Sequence, residues 1–378
     1  MLRYFLISTM SLLFINFTAA QTAKTAVQYY TEGIKLQDQK KYNEALQSYK
    51  KAITLNSNYK EALYSAGWCS SELKKYTEAL TYLQKTKTLW PGEAKVYLEL
   101  GYAYEQLDKK TDAKDNYNKC ISLASDNALA YKYLAGLYYN EKNYKKAVDN
   151  YTSFIEYETN ITDDDVYYRK GLSENELEKY DEAVTSLTKA IEINSENAGA
   201  LNELGYSYYS LKNAEDAISN YNKALKIKPN SLAANNGIAD VYRSLKKDPK
   251  EAVKYYLKAA EIDPKDKVTY YWIGWCYNDL ERYNDAVTYL KKAIEIDNKY
   301  NNAITELGYS DYALENYDDA LVQFNKANSI KKTELNVYYT GLCYVGKNQK
   351  AEALKIVRDL RDMKSDYAEK LQKKIDDL

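Results

Sequence analysis

A small residue recurs along this chain at almost fixed spacing. Gly33, Gly67, Gly101 and Ala135 stand 34 residues apart. Gly171 follows after 36, Gly205 and Ala239 after 34 each, Gly274 after 35, Gly308 after 34 and Gly341 after 33. Twelve residues beyond each mark stands an alanine: Ala45, Ala79, Ala113, Ala147, Ala183, Ala217, Ala286, Ala320 and Ala353. In the seventh register the alanine comes at thirteen, as Ala252. The stretch "KKDPKEA" there suggests one extra residue in the turn, with Pro249 suited to the first helical position after Asp248. A period of this size is the mark of a tandem array rather than of one globular core.

Within each period the apolar residues keep helical spacing. Leu201, Leu204, Gly205 and Tyr208 fall at i, i+3, i+4 and i+7, and Ala217, Tyr221 and Ala224 form a second stripe. That is two amphipathic helices joined by a short turn. Small residues at the ruler position and at the later alanine let the two helices approach, so the spacing pairs Gly205 with Ala217. Helices of about 14 residues are marginal alone and gain stability by burying their stripes against neighbours.

The sixth unit, "AGALNELGYSYYSLKNAEDAISNYNKALKIKPNS", carries Leu-Gly, Tyr, Ala, an aromatic, Ala and Pro at the offsets of the tetratricopeptide repeat family, which the chain closely resembles. The resemblance covers residues 26–367 as ten repeats, starting at Ala26, Lys60, Ala94, Ala128, Asp164, Ala198, Leu232, Lys267, Asn301 and Glu334. Thr86, Cys120, Phe154 and Leu360 depart from the last alanine, and only Pro91, Pro229 and Pro264 keep the closing proline. The resemblance implies an all-α, right-handed superhelical solenoid of helix-turn-helix units, with the first helix of each repeat lining a concave groove. The array is expected over residues 21–367. A capping helix is expected over 366–378, where Tyr367, Leu371, Ile375 and Leu378 share one side and Ser365 or Asp366 caps the start.

The first 20 residues read differently. Arg3, an apolar run from Tyr4 to Phe17 and the small residues Thr18, Ala19 and Ala20 resemble a secretory signal peptide cleaved after Ala20. Export to the periplasm, with no stable membrane insertion after cleavage, is the expectation. An uncleaved N-terminal anchor is the alternative, although the run is short of the roughly 20 apolar residues of a membrane span.

Several function classes are excluded or weakened. Lysine and arginine number 53 against 54 acids, a formal net charge of −1, which provides no cationic excess for nucleic acid. There is no histidine, so the commonest general base and metal ligand are missing. Acid pairs such as Glu203 with Asp240 would remain for catalysis, and such residues on a solenoid are usually solvated. Cys69, Cys120, Cys276 and Cys343 all stand where helices tolerate small side chains, and repeats that touch only their neighbours keep them apart. They read as buried free thiols. Asp163, Asp164 and Asp165 read as a helix start behind Thr162, because adjacent helical residues do not converge on one ion. No cofactor or metal is expected.

Positions five, nine and twelve of each first helix share one face. They place Trp68, Tyr102, Tyr139, Tyr206, Tyr209, Tyr271, Trp275 and Tyr309 there, with Asn202, Asn236, Asn175 and Asn278 and the cation Arg243. Aromatic rings with hydrogen-bonding tips mark binding surfaces, and an asparagine amide donates and accepts at once, as a peptide backbone requires. The chain has 43 tyrosines, so a compositional bias competes with this reading. The Lys and Asn pattern with which some relatives clamp C-terminal carboxylates is missing. The expectation is a non-catalytic scaffold, monomeric or part of a larger assembly, that binds protein or peptide segments. A glycan-binding envelope module is the rival.

Overall fold

The structure is a computed structural model and describes residues 24–377. The signal-peptide reading of residues 1–20 lies outside the described residues. Among the described residues there are 21 α-helices, one π-helical turn and no strand, arranged as a solenoid of helix-turn-helix repeats. First helices begin at Ala26, Lys60, Ala94, Ala128, Asp164, Ala198, Leu232, Lys267, Asn301 and Glu334. The chain divides into two compact units, Met1–Leu137 and Tyr138–Leu378. The boundary passes through the first helix of repeat four, Ala128–Asn140.

Repeat six shows why such a sequence folds this way. Its first helix, Ala198–Ser210, is capped by Asn197, whose Oδ1 accepts from the Ala200 N–H at 2.8 Å. The second, Ala214–Ile227, is capped by Asn213 on the Asp216 N–H at 3.2 Å. Leu201 and Leu204 on one helix and Ala217, Tyr221 and Ala224 on the other are buried. The turn closes with the Asn213 N–H on the Tyr208 carbonyl at 2.8 Å. It holds Lys212 at φ 64°, and all ten intra-repeat turns put a residue other than glycine in the left-handed region, at φ 54–64°. Each such residue costs about 1 kcal/mol relative to glycine.

The atoms that crowd Gly205 are those of Tyr221 rather than Ala217. A Cβ on Gly205 would lie 2.8 Å from the Tyr221 ring, and one on Gly237 of the next repeat 2.3 Å from the same ring. Tyr221 thus fills the space that two helices leave by lacking side chains, and Ala217 belongs to the same buried cluster. The extra residue of repeat seven is not in the turn. It is absorbed one turn earlier, where the helix Leu232–Asp240 widens into the π-helical segment Val241–Leu245 and the Lys246 N–H reaches Val241 O at 3.0 Å. Asp248 then caps the second helix on the Glu251 N–H at 3.0 Å, with Pro249 as its first residue.

The four cysteines are buried and unpaired. Burial pushes their thiols up, to about 12 at Cys69, Cys276 and Cys343 and about 11 at Cys120, which makes them poor nucleophiles. Asp163, not Thr162, caps the helix Asp164–Glu176, through the Asp165 N–H at 3.2 Å. At the far end Ser365, not Asp366, supplies the side-chain acceptor for the helix Tyr367–Asp376, on the Tyr367 N–H at 3.3 Å. Leu371 of that helix fills the space beside Gly341. No helix among the described residues is long and apolar enough to cross a membrane.

Candidate functional site

Within each unit the first helices of adjacent repeats touch, so their side chains meet across the repeat boundary. That contact decides which sequence-predicted residues remain available to a partner. Tyr206 is 42% exposed, and its ring meets Tyr180 edge-on at 6.1 Å. Tyr309 meets Tyr283 in the same way at 6.2 Å, and Tyr102 meets Tyr76 at 6.2 Å. Trp275 is half-buried, edge-on to Trp272 at 6.0 Å, and Trp68 is half-buried against Tyr42 at 5.5 Å. Tyr209 accepts a hydrogen bond from Ser244 Oγ at 3.1 Å.

Other predicted residues are already engaged. Arg243 is not a spare cation. Its guanidinium donates to Asp240 at 2.8 Å and to the Tyr256 hydroxyl at 3.0 Å, and it lies over the Trp272 ring at 3.7 Å. Tyr271 is only 9% exposed and belongs to the buried cluster of repeats seven to nine. Tyr139 carries the Arg169 guanidinium at 5.2 Å. Asn202 donates to Ser231 Oγ at 3.3 Å while its Oδ1 is buried without a partner, and Asn236 Oδ1 accepts from Thr269 at 3.3 Å. Asn175 and Asn278 are not free amides: both are buried and clamp the next repeat.

A cavity lies beside each of those clamps in the second unit. Asn175 Nδ2 donates to Glu203 Oε2 at 3.0 Å and to the Glu203 carbonyl at 3.2 Å, and Ser207 Oγ donates to Asn175 Oδ1 at 2.7 Å. Asn278, Glu306 and Ser310 repeat these bonds at the same 3.0, 3.2 and 2.7 Å. Beside the first clamp is a cavity of about 340 Å³ lined by Asn175, Glu176, Glu178, Tyr180, Glu203 and Tyr206. Beside the second is one of about 370 Å³ whose lining includes Asn278, Asp279, Glu281, Tyr283, Glu306 and Tyr309. Every residue of the first set lies 103 positions before its counterpart. Burial raises the Glu203 and Glu306 carboxyls, and the asparagine amide opposes that rise by bonding the ionised form.

The sequence held a signal for this pair. "ELGY" occurs at residues 99–102, 203–206 and 306–309, three repeats apart each time. Comparing every repeat with a single 34-residue template hides that longer period. The first copy lies in the first unit, with Ser71 where the clamping asparagines stand.

Models described as tetratricopeptide repeat match residues 30–94, 94–127 and 196–265, and one described as TPR repeat matches 171–212. The chain belongs to the tetratricopeptide repeat family. A model described as Regulator of microtubule dynamics protein 1-3 also matches residues 238–309. No curated protein matches the chain. Among solved structures, YrrB, described as a TPR protein with an unusual peptide-binding site, is 21% identical with a TM-score of 0.46, covering 50% of this chain and 95% of its own. MamA is 27% identical with a TM-score of 0.42, covering 46% and 92%. PilW, described as a type IV pilus biogenesis factor, is 19% identical with a TM-score of 0.47, covering 55% and 98%.

Proposed function

We propose that this protein is a non-catalytic interaction scaffold of the cell envelope that binds peptide segments along the aromatic face of its first helices. The observation that carries the reading is the pair of matched cavities in the second unit. Each is walled by an edge-on tyrosine pair and set where the helix-turn-helix corner of one repeat meets the first helix of the next. Rings held in place bury area at low entropic cost, and their hydroxyls keep a polar tip for the partner. The envelope assignment rests on the signal-like residues 1–20, and the array of residues 21–367 is the binding body. The helix after it closes the exposed apolar end of repeat ten.

The test pairs binding with stability. A partner is captured from envelope extract and compared with isolated cell-wall polysaccharide, which is the arm that would reveal a glycan-binding module instead. Tyr206→Ala and Trp275→Ala are expected to weaken binding of the captured protein by about 2 kcal/mol or more. Tyr206→Ala should melt like the parent, and Trp275→Ala should lose less stability than a core truncation, because its ring also packs on the buried cluster. Tyr221→Ala empties a core site and should lower stability by about 3–5 kcal/mol. Parent-like binding by both groove variants would overturn the reading.

A further inference from the structure

The two matched cavities also define what the partner must carry, an inference that rests on the groove reading above. Each is lined by three carboxylates: Glu176, Glu178 and Glu203 in one, Asp279, Glu281 and Glu306 in the other. No lysine or arginine lines either. This protein has almost as many cations as acids, and elsewhere it pairs them across repeats, as Glu215 with Lys246 and Glu78 with Lys50. None of the six cavity carboxylates is in such a pair.

Glu203 and Glu306 are held by the asparagine clamps, and the other four acids have no such local partner. Glu176 and Asp279 are the last residues of their helices, where the macrodipole is negative and lysine or arginine is the favoured residue. Glu178 and Glu281 occupy the left-handed turn position at φ 58° and 56°, while repeats one, two, four, six and seven place lysine there. Acids at a helix C-terminus add to its negative potential instead of offsetting it. The tyrosine pair then provides aromatic surface at the wall of that negative cavity, which suits a cation. A bare metal ion does not fit, because no three carboxylates among the described residues are close enough together to hold one.

The same unit shows what fills such a place when the chain supplies it. Arg243 lies over Trp272 while bonded to Asp240, and Arg169 lies over Tyr139 while paired with Asp165 at 2.6 Å. Both are guanidinium groups between an aromatic face and a carboxylate.

We infer that each of the two cavities receives an arginine or lysine side chain, arginine preferred, so that the partner is a basic segment spanning repeats five to nine with two cationic anchors.

The probe is a labelled, flexible Gly/Ser peptide bearing spaced arginines, with lysine and glutamate versions alongside, followed by fluorescence anisotropy on the full chain. Binding should follow arginine over lysine over glutamate and weaken steeply between about 0.1 M and 1 M salt. Glu203→Gln and Glu306→Gln keep the acceptor for the asparagine clamp, and each should weaken the arginine peptide about tenfold, with a larger loss for the double variant. Glu182→Gln and Glu295→Gln, on second helices, are the charge-matched controls. Equal losses from pocket and control variants would reduce the effect to net charge and overturn the inference, as would equal binding of the glutamate peptide. The envelope-captured partner separates the two readings. If its binding needs Tyr206 and Trp275 but not Glu203 or Glu306, the groove stands and the cationic assignment falls. If it needs none of the four, both fall.

Discussion

The three copies of Glu-Leu-Gly-Tyr differ in what stands across from the glutamate. In the second unit Glu203 and Glu306 are each held by an asparagine from the preceding repeat, itself held by a serine. In the first unit Ser71 and Ala103 occupy those two places. Ser71 is 4% exposed and its hydroxyl has no partner. Burial, with Glu72 nearby, then pushes the Glu99 carboxyl up to about 7. The tyrosine pairs are alike in all three, edge-on at 6.1–6.2 Å. One motif on one helix therefore fixes the geometry, while the amide on the neighbouring repeat fixes the charge. The working unit is a pair of repeats.

The largest expected effect comes from breaking a clamp. Asn278→Ala leaves the Glu306 carboxylate and the Ser310 hydroxyl without the amide between them. Loss of a partner for a buried charged group should cost about 3 kcal/mol at pH 8. The variant removes from the third copy the amide that the first copy lacks, so the Glu306 carboxyl should rise further above the ordinary glutamate value and the loss should shrink near pH 4, below that value. Denaturation midpoints at the two pH values check this. A loss of equal size at both would show that the amide acts by packing alone.

The next effect is of similar size and opposite in sign. Folding raises Glu99 from 4.5 to about 7, so the folded state binds the proton more tightly than the unfolded chain. Its contribution is fully present below pH 4.5 and is lost as pH rises through 7. The parent should therefore lose stability across that window. Glu99→Gln, which keeps the shape without the charge, should not, and should be more stable than the parent by about 3 kcal/mol at pH 8 and equal to it near pH 4. Parallel pH profiles for the two proteins would remove burial of Glu99 as the cause.

How much of this was legible follows from which distances the sequence exposes. The repeats were readable because ruler glycines and their alanines recur inside one 34-residue frame, and helix starts follow from that frame. The clamp was not, because Asn175 and Glu203 belong to different repeats and pair across 28 positions, while their duplication shows only at 103. Helical spacing puts Tyr206 and Tyr309 on one face, and in the structure both line cavities. It failed for Arg243 and Tyr271, because helical position says which way a side chain faces but not whether Asp240, Tyr256 or Trp272 has already claimed it. Asn175 and Asn278 failed for the same reason: the first helix of the next repeat lies against them. The extra residue of repeat seven was legible, but not its place, since a π-helical turn and a longer loop have the same length in sequence.

The smallest effect, and the sharpest use of the comparison, is to build the missing clamp. Ser71→Asn together with Ala103→Ser gives the first unit the side chains of the other two copies at matching positions. The new amide can donate to Glu99 and accept from the new hydroxyl, as in Asn175 with Ser207. Ser71 already has an unpartnered hydroxyl, so its replacement forfeits no hydrogen bond. An amide bonded to the ionised carboxylate should bring Glu99 down from about 7 towards the ordinary glutamate value. The gain at pH 8 should be about 1 kcal/mol, the usual net worth of a buried hydrogen bond, with no gain near pH 4. Ser71→Asn alone should give less, because the amide oxygen would then be buried without its donor. A pH profile measured in the Glu99→Gln background separates the causes: the double substitution should lose its pH-dependent gain there. If that gain persists without the Glu99 charge, the substitutions act by filling space, and the difference between the copies is one of packing rather than of proton binding.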